Sequence, residues 1–184
     1  RVLDGADMRD EVLEVASLVV DAGLDTFCDA EHPEDWDIDG LHSEMDGFWP
    51  LTVDAGELRL IPAPVRLAER LVDEAIACFE GREAELGVDT MREVERQVMI
   101  RIIDQRWREH LYEMDHLREG IHLRAMGQRD PTTEWQREGF DLFGQLTDLI
   151  GADFLRYVMR IRVTVADEEG GMPDDVQTSG PEGP

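Results

Sequence analysis

The chain has no lysine. All 18 of its cations are arginine, set against 43 Asp and Glu, for a net charge of −25 over 184 residues. Such an excess repels nucleic-acid phosphates and anionic lipid, so the electrostatic footprint of a DNA or RNA binder is missing. Cysteine is nearly absent too. Cys28 and Cys78 are too few for a disulfide framework or a CxxC metal site, and both read as small buried or half-buried apolar residues. Aromatics make up only 7%, a lean supply for a thick core, yet 42% apolar residues is too many for a disordered chain. No apolar run of about 18 residues occurs and no leader pattern precedes the first helix, so the expectation is a soluble chain, opening at Arg1 as a fragment would. GxxxxGKS/T, GxGxxG and GxSxG are all missing, which leaves nucleotide chemistry without a seat.

What charge there is falls unevenly. Residues 1–90 hold 24 acids and 6 Arg, residues 91–166 hold 13 acids and 12 Arg, and residues 167–184 hold 6 acids and no Arg. A near-neutral middle between acidic flanks marks a boundary, and it suits a surface that approaches other polymers.

Apolar spacing predicts an all-α chain. Met8, Val12, Val15 and Val19 make a helical stripe with Asp7 as its cap, ending near Asp25 to Asp29. Trp36, Leu41, Met45, Phe48 and Trp49 predict a short helix stopped before Pro50. Gly56, Pro62 and Pro64 punctuate a loop, and Val65, Leu67, Leu71, Ile76 and Phe79 predict a further helix ending around Gly87.

Thr90-Met-Arg-Glu93 has the form of a capping box. The helix it opens shows Val94, Val98, Ile102, Ile103, Trp107, Leu111, Met114, Leu117 and Ile121 at three- or four-residue steps. From Met91 to Leu123 it would span roughly 50 Å. Asp130-Pro131 signals a second start, with Asp as N-cap and Pro at the first helical position. The second helix, 131–163, carries Trp135, Phe143, Leu146, Ile150, Phe154, Val158 and Ile161. The two should pair antiparallel, their Trp and Phe stripe serving as core against each other or a neighbour. The tail beyond Val165 has no periodicity and reads as disordered.

Catalytic constellations are hard to assemble. His110 and His116 stand six apart on different helix faces, and His42 with Glu44 and His32 with Asp35 lack a third ligand, so all read as solvated or hydrogen-bonded histidines. The turn Arg124-Ala125-Met126-Gly127-Gln128-Arg129 is richer than a structural turn needs. It offers two cations, a polar amide and an adaptable Met at the end of a rod, although generic turn chemistry also explains it.

These residues carry a resemblance. The run from Val98 to Leu146 holds Trp107, Glu109, His110 and Leu111, then Met114, Asp115, Leu117, Arg118, Gly120 and Ile121, then Leu123, Arg124, Gln128, Asp130 and Pro131. It is similar to the two-helix finger of the SecA family of preprotein translocase motor ATPases. Residues 1–8 resemble the end of that family's long scaffold helix, and Glu34-Asp-Trp-Asp-Ile-Asp-Gly-Leu41 resembles its helical wing. The likeness covers residues 1–165, is weaker from Thr52 to Leu86, and is absent from the tail, where many members continue to a Cys-rich zinc-binding end. No such cysteines occur here, so zinc is not carried over. Met126 stands where members often have Tyr.

The resemblance implies four parts: the scaffold-helix end at 1–9, a helical wing at 10–88, scaffold and finger at 89–165, and an acidic tail at 166–184. It implies a finger that couples ATP turnover in motor domains outside this chain to movement of unfolded preprotein through the SecY channel, and a scaffold and finger that together restrain the ATPase. Arg124 to Arg129 would contact channel or preprotein, while Trp107, Leu111, Met114 and Arg118 would pack on the scaffold and link it to the ATPase. ATP and Mg would belong to the complete protein and no cofactor to this chain, which would be inactive alone. Its setting would be cytoplasmic, peripheral to the inner face of the bacterial plasma membrane. Partners would be the SecY complex, preproteins and the nucleotide- and preprotein-binding domains, with no nucleic acid. Two other readings stand beside it: an acidic helical-bundle adaptor or chaperone-like module holding a partner helix against Trp107, Leu111 and Met114, and a metal-dependent hydrolase using His and Asp/Glu.

Overall fold

The computed structural model describes residues 8–124 and 130–161, without the side chains of residues 122–124 and 131. Among these residues are six α-helices and no strand, in keeping with the all-α periodicity. The expected cap Asp7, the tip 125–129 and the tail lie outside the described residues.

Helix α1 (Arg9–Phe27) buries Val12, Ala16, Val20 and Leu24, a four-residue step, while Val15 and Val19 flank this line half-buried. A 3-10 turn at Pro33–Asp35 leads to α2 (Ile38–Phe48). Asp37 caps α2 by accepting from the Gly40 amide at 2.9 Å. A Cβ at Gly40 would lie 2.5 Å from Asp37 Oδ2 and 2.7 Å from Phe27 Cε1, so only glycine fits beneath the end of α1. Pro50 follows the helix, and Trp49 is fully buried at its C-cap.

One helix was not expected: α3 (Ala55–Arg59) occupies the stretch read as loop. Asp54 caps it by accepting from the Glu57 amide at 2.9 Å. The S/T/D-x-x-E start signal was there in Asp54-Ala-Gly-Glu57, but five residues are too short to show a period.

Helix α4 (Pro64–Leu86) begins with Pro at its first turn and ends at Gly87, whose φ of +81° only glycine adopts freely. That one residue also starts α5 (Val88–Arg124), accepting from the Met91 amide at 3.0 Å. The capping box expected at Thr90 is therefore not used. Thr90 lies inside the helix, and the Glu93 carboxylate accepts from Arg96 and Gln97 instead. The turn at Gly87 is tight enough to pre-empt a later start.

Helix α6 (Pro131–Arg160) is capped by Asp130, which accepts from the Thr133 amide and hydroxyl at 3.0 and 2.6 Å. Those bonds hold the Asp130 carboxyl below its usual range. One continuous core joins α1, α2 and α4 to the last turns of α6, where Phe154, Leu155, Val158 and Met159 are buried. Each such side chain contributes about 1.5–3 kcal/mol relative to exposure. Arg156 stacks 4.5 Å over the Phe48 ring and Arg160 reaches Asp46 at 3.4 Å, so cations of α6 close the seam against α2.

Two buried acids are matched. Glu74 accepts from the Thr52 amide at 2.9 Å and from its hydroxyl, and pairs with Arg70 at 2.6 Å. Burial alone would push its pKa up, but the bonds from Thr52 and Arg70 win and hold it below the usual carboxylate range. Glu95 is gripped by Arg92, which also holds Glu83 on α4. Cys28 and Cys78 are half-buried, and burial raises both thiols.

Candidate functional site: the helical hairpin

Helices α5 and α6 form the antiparallel hairpin that the spacing predicts. Three pairs set the register: Arg106 with Asp153, His110 with Phe143, and Met114 with Gly139. The helices come close at Gly139, where a Cβ would sit 3.3 Å from Met114 Cε. At about 1.5 Å per residue the 37 residues of α5 run roughly 55 Å. The base of each helix reaches the common core, α5 through Met91 and Ile102 and α6 through Phe154 to Met159; further out, among the described residues, each helix has the other as its neighbour and one face of the pair stays uncovered.

The stripe read as core is largely that uncovered face. Trp107 is 45% exposed and Leu111 49%, and on α6 Trp135, Phe140 and Phe143 are exposed as well. The α5 seam runs instead through Met91, Glu95, Ile102, Arg106, His110, Met114, Leu117 and Ile121, one residue off the apolar line Ile103, Trp107, Leu111. Following apolar residues alone crosses from seam to open face at Ile102 and Ile103, because the next two seam positions, Arg106 and His110, are polar.

Those two are the residues that sequence reasoning missed. Arg106 donates from Nε to Asp153 Oδ2 at 2.7 Å and from Nη1 to Glu109 at 2.8 Å. Bonds from Gln105 and Arg106 hold the Glu109 carboxyl low. His110, read above as solvated or hydrogen-bonded, is buried with Nδ1 unpartnered among the described residues. Its ring lies 5.6 Å from Trp107 and 6.1 Å from Phe143, so an aromatic line crosses the hairpin from α5 to α6. Four-residue spacing from Ile102 through Arg106 to His110 and Met114 was the available signal.

Of the residues expected to pack on a scaffold, Trp107 and Leu111 face outward and Met114 is half-buried against Gly139. Arg118 faces solvent, 3.4 Å from Asp115. A shallow hollow between Ile103, Asp104, Trp107 and Arg108 marks the same open face. At the far end, the backbone of Arg124 closes α5, and Ala125, Met126, Gly127, Gln128 and Arg129 lie outside the described residues. His42, read above as solvated or hydrogen-bonded, bonds the Val53 carbonyl oxygen at 3.0 Å. No group of three His, Cys, Asp or Glu is arranged to hold a metal ion among the described residues. Nor is any described helix long and apolar enough to cross a membrane.

The chain can now be set beside known proteins. Residues 1–162 match the family described as SecA Wing and Scaffold domain. The chain is 39% identical over 172 residues to protein translocase subunit SecA 1 of Thermobifida fusca, covering 90% of this chain and 18% of the relative. It is 38% identical over 175 residues to protein translocase subunit SecA of Cutibacterium acnes, covering 95% and 19%. With the SecA protein of Pelotomaculum thermopropionicum the figures are 39% over 172 residues, 92% and 19%. The chain thus spans about a fifth of the length of the curated relatives it matches. With its all-helical core, its antiparallel hairpin and a match across 162 residues, the chain belongs to the SecA wing and scaffold domain family.

Proposed function

We propose that this chain forms the wing and finger of a protein translocase subunit, in which α5 and α6 couple ATP hydrolysis in other domains to movement of unfolded preprotein through the SecY channel. In this reading the finger and its scaffold also restrain the ATPase, and the protein works from the cytoplasm, peripheral to the inner face of the bacterial plasma membrane. ATP and Mg bind in the nucleotide-binding domains; no motif of this chain cradles phosphate.

The observation that carries the proposal is the half-covered hairpin. A two-helix rod whose open side shows Trp107, Leu111, Phe140 and Phe143 is built to lie against another helix, which in this reading is the parent protein's scaffold helix. Its base is locked into the wing core through Phe154 to Met159, so displacement at one end is transmitted to the other rather than absorbed. The residues Arg124 to Arg129 then contact channel or preprotein, their mixed chemistry avoiding the selectivity of a deep pocket.

The test uses the complete translocase with membrane vesicles. Met126→Gly should lower preprotein transport without lowering the melting temperature, and Trp107→Ala should raise basal ATP hydrolysis. Normal transport in the first variant together with normal basal hydrolysis in the second would overturn the reading.

A further inference from the structure

Away from the hairpin's open face lies an apolar groove whose lining includes no residue of α5 or α6. It lies between α1 and α2, lined by Val19, Ala22, Gly23, Phe27, Met45 and Phe48, with Thr26 and Glu44 at its lip. Its floor is set by close helix approach: a Cβ at Gly23 would sit 2.7 Å from Met45 Cε and 3.1 Å from Leu41 Cδ1. The hollow measures about 300 Å³, the lower limit for small-molecule sites and room for a few apolar side chains.

Its polar surroundings are of one sign. From residue 10 to residue 58 the chain has 15 Asp and Glu and no Lys or Arg. The cations that α6 brings nearby are engaged, Arg156 on the Phe48 ring and Arg160 on Asp46. Thr26 spends its hydroxyl on the Ala22 carbonyl oxygen at 2.8 Å. Glu44 is exposed at the lip and makes no ion pair among the described residues.

We propose that the α1–α2 groove of the wing is a docking site for a basic amphipathic helix of a partner protein. Apolar side chains at i and i+4 enter the hollow, and flanking Lys or Arg meet Glu44 under the acidic field of α1 and α2. A helix fits better than an extended segment because both walls are helices with no strand edge to pair with. An extended chain would leave its own N–H and C=O groups unmatched over an apolar floor, whereas a helix satisfies them internally. The groove lies apart from the hairpin's open face, and its occupancy does not depend on the transport role.

The experiment is fluorescence anisotropy on the full 184-residue chain. The probe is a labelled helical peptide of Leu and Lys about 14 residues long, its leucines on one face. Ala22→Trp, which fills the groove from an exposed position, should weaken binding about tenfold or more; if that variant melts early, Thr26→Trp serves instead. Glu44→Lys should weaken binding several-fold more than Asp21→Lys, which changes the net charge equally at a residue outside the lining. A peptide with Glu in place of Lys, or Ser in place of Leu, should bind far more weakly. Equal effects of the two charge reversals with none from the Trp variants would mean unspecific attraction to an acidic surface and would overturn the site. So would tight binding of the Glu peptide, or sedimentation showing the groove closed by a second copy of the chain.

Discussion

Arg106 of α5 holds Asp153 of α6 with two guanidinium nitrogens on one oxygen, Nε at 2.7 Å and Nη2 at 2.6 Å, just where the hairpin leaves the common core. The side chains are 25% and 17% exposed, so the pair is better shielded than a surface bridge yet still touches water. Arg106→Ala or Asp153→Asn should each cost about 1–2 kcal/mol, between the values for exposed and buried pairs. The double variant should cost less than the sum of the singles, and urea titration of all four proteins yields the coupling. Strict additivity would mean that the pair does not fasten the hairpin.

Gly87 and Gly81 should respond with opposite signs. Both have open space where a Cβ would go, so only backbone and propensity differ. At Gly87, with φ at +81°, alanine should destabilise by about 1–3 kcal/mol. In the interior of α4, Gly81→Ala should stabilise by up to about 1 kcal/mol. Thermal melting of the two variants is the measurement.

Glu74 should make the helical core acid-sensitive. Its folded pKa lies below the ordinary glutamate value, so its stabilisation is fully present above that ordinary value and is lost as pH falls through the depressed one. Melting temperature should therefore drop as pH goes from about 5 towards 3, and Glu74→Gln should flatten that part of the profile. At neutral pH the same variant should cost about 1–3 kcal/mol, since Thr52 and Arg70 lose a charged partner.

His110 should be replaceable at no loss. A buried ring nitrogen without a partner has lost its water and gained nothing, so His110→Leu should leave stability unchanged or raise it by about 1 kcal/mol. Denaturant titration of this chain decides the sign, and a clear loss would reveal that the aromatic line from Trp107 to Phe143 depends on the imidazole.

Trp107 tests the open face. In this chain Trp107→Ala should cost about 1–2 kcal/mol, less than the roughly 3–5 of a buried indole, because nearly half of it already meets water. In the complete translocase the cost should rise, if a scaffold helix covers the face. Melting the same substitution in both settings separates the outcomes.

The long helices and the antiparallel pairing of α5 with α6 were legible in the chain, because a 3.6-residue period and the Asp130-Pro131 start act locally and over many turns. Short-range competition was not: α3 has too few residues to display a period, and Gly87 started α5 ahead of the Thr90 capping box through a backbone angle that letters do not state. The density of matching residues from Trp107 to Pro131 was also enough to indicate the family from sequence alone. Which face of α5 is inside was decided only in three dimensions. Arg106 takes a seam position because Asp153, 47 residues away, lies opposite it, and Trp107 stays outside because two helices can cover only one side of each other. The α1–α2 groove is of the same kind, since its walls come from those two helices and its depth from the missing Cβ of Gly23, a distance between helices rather than a pattern along either.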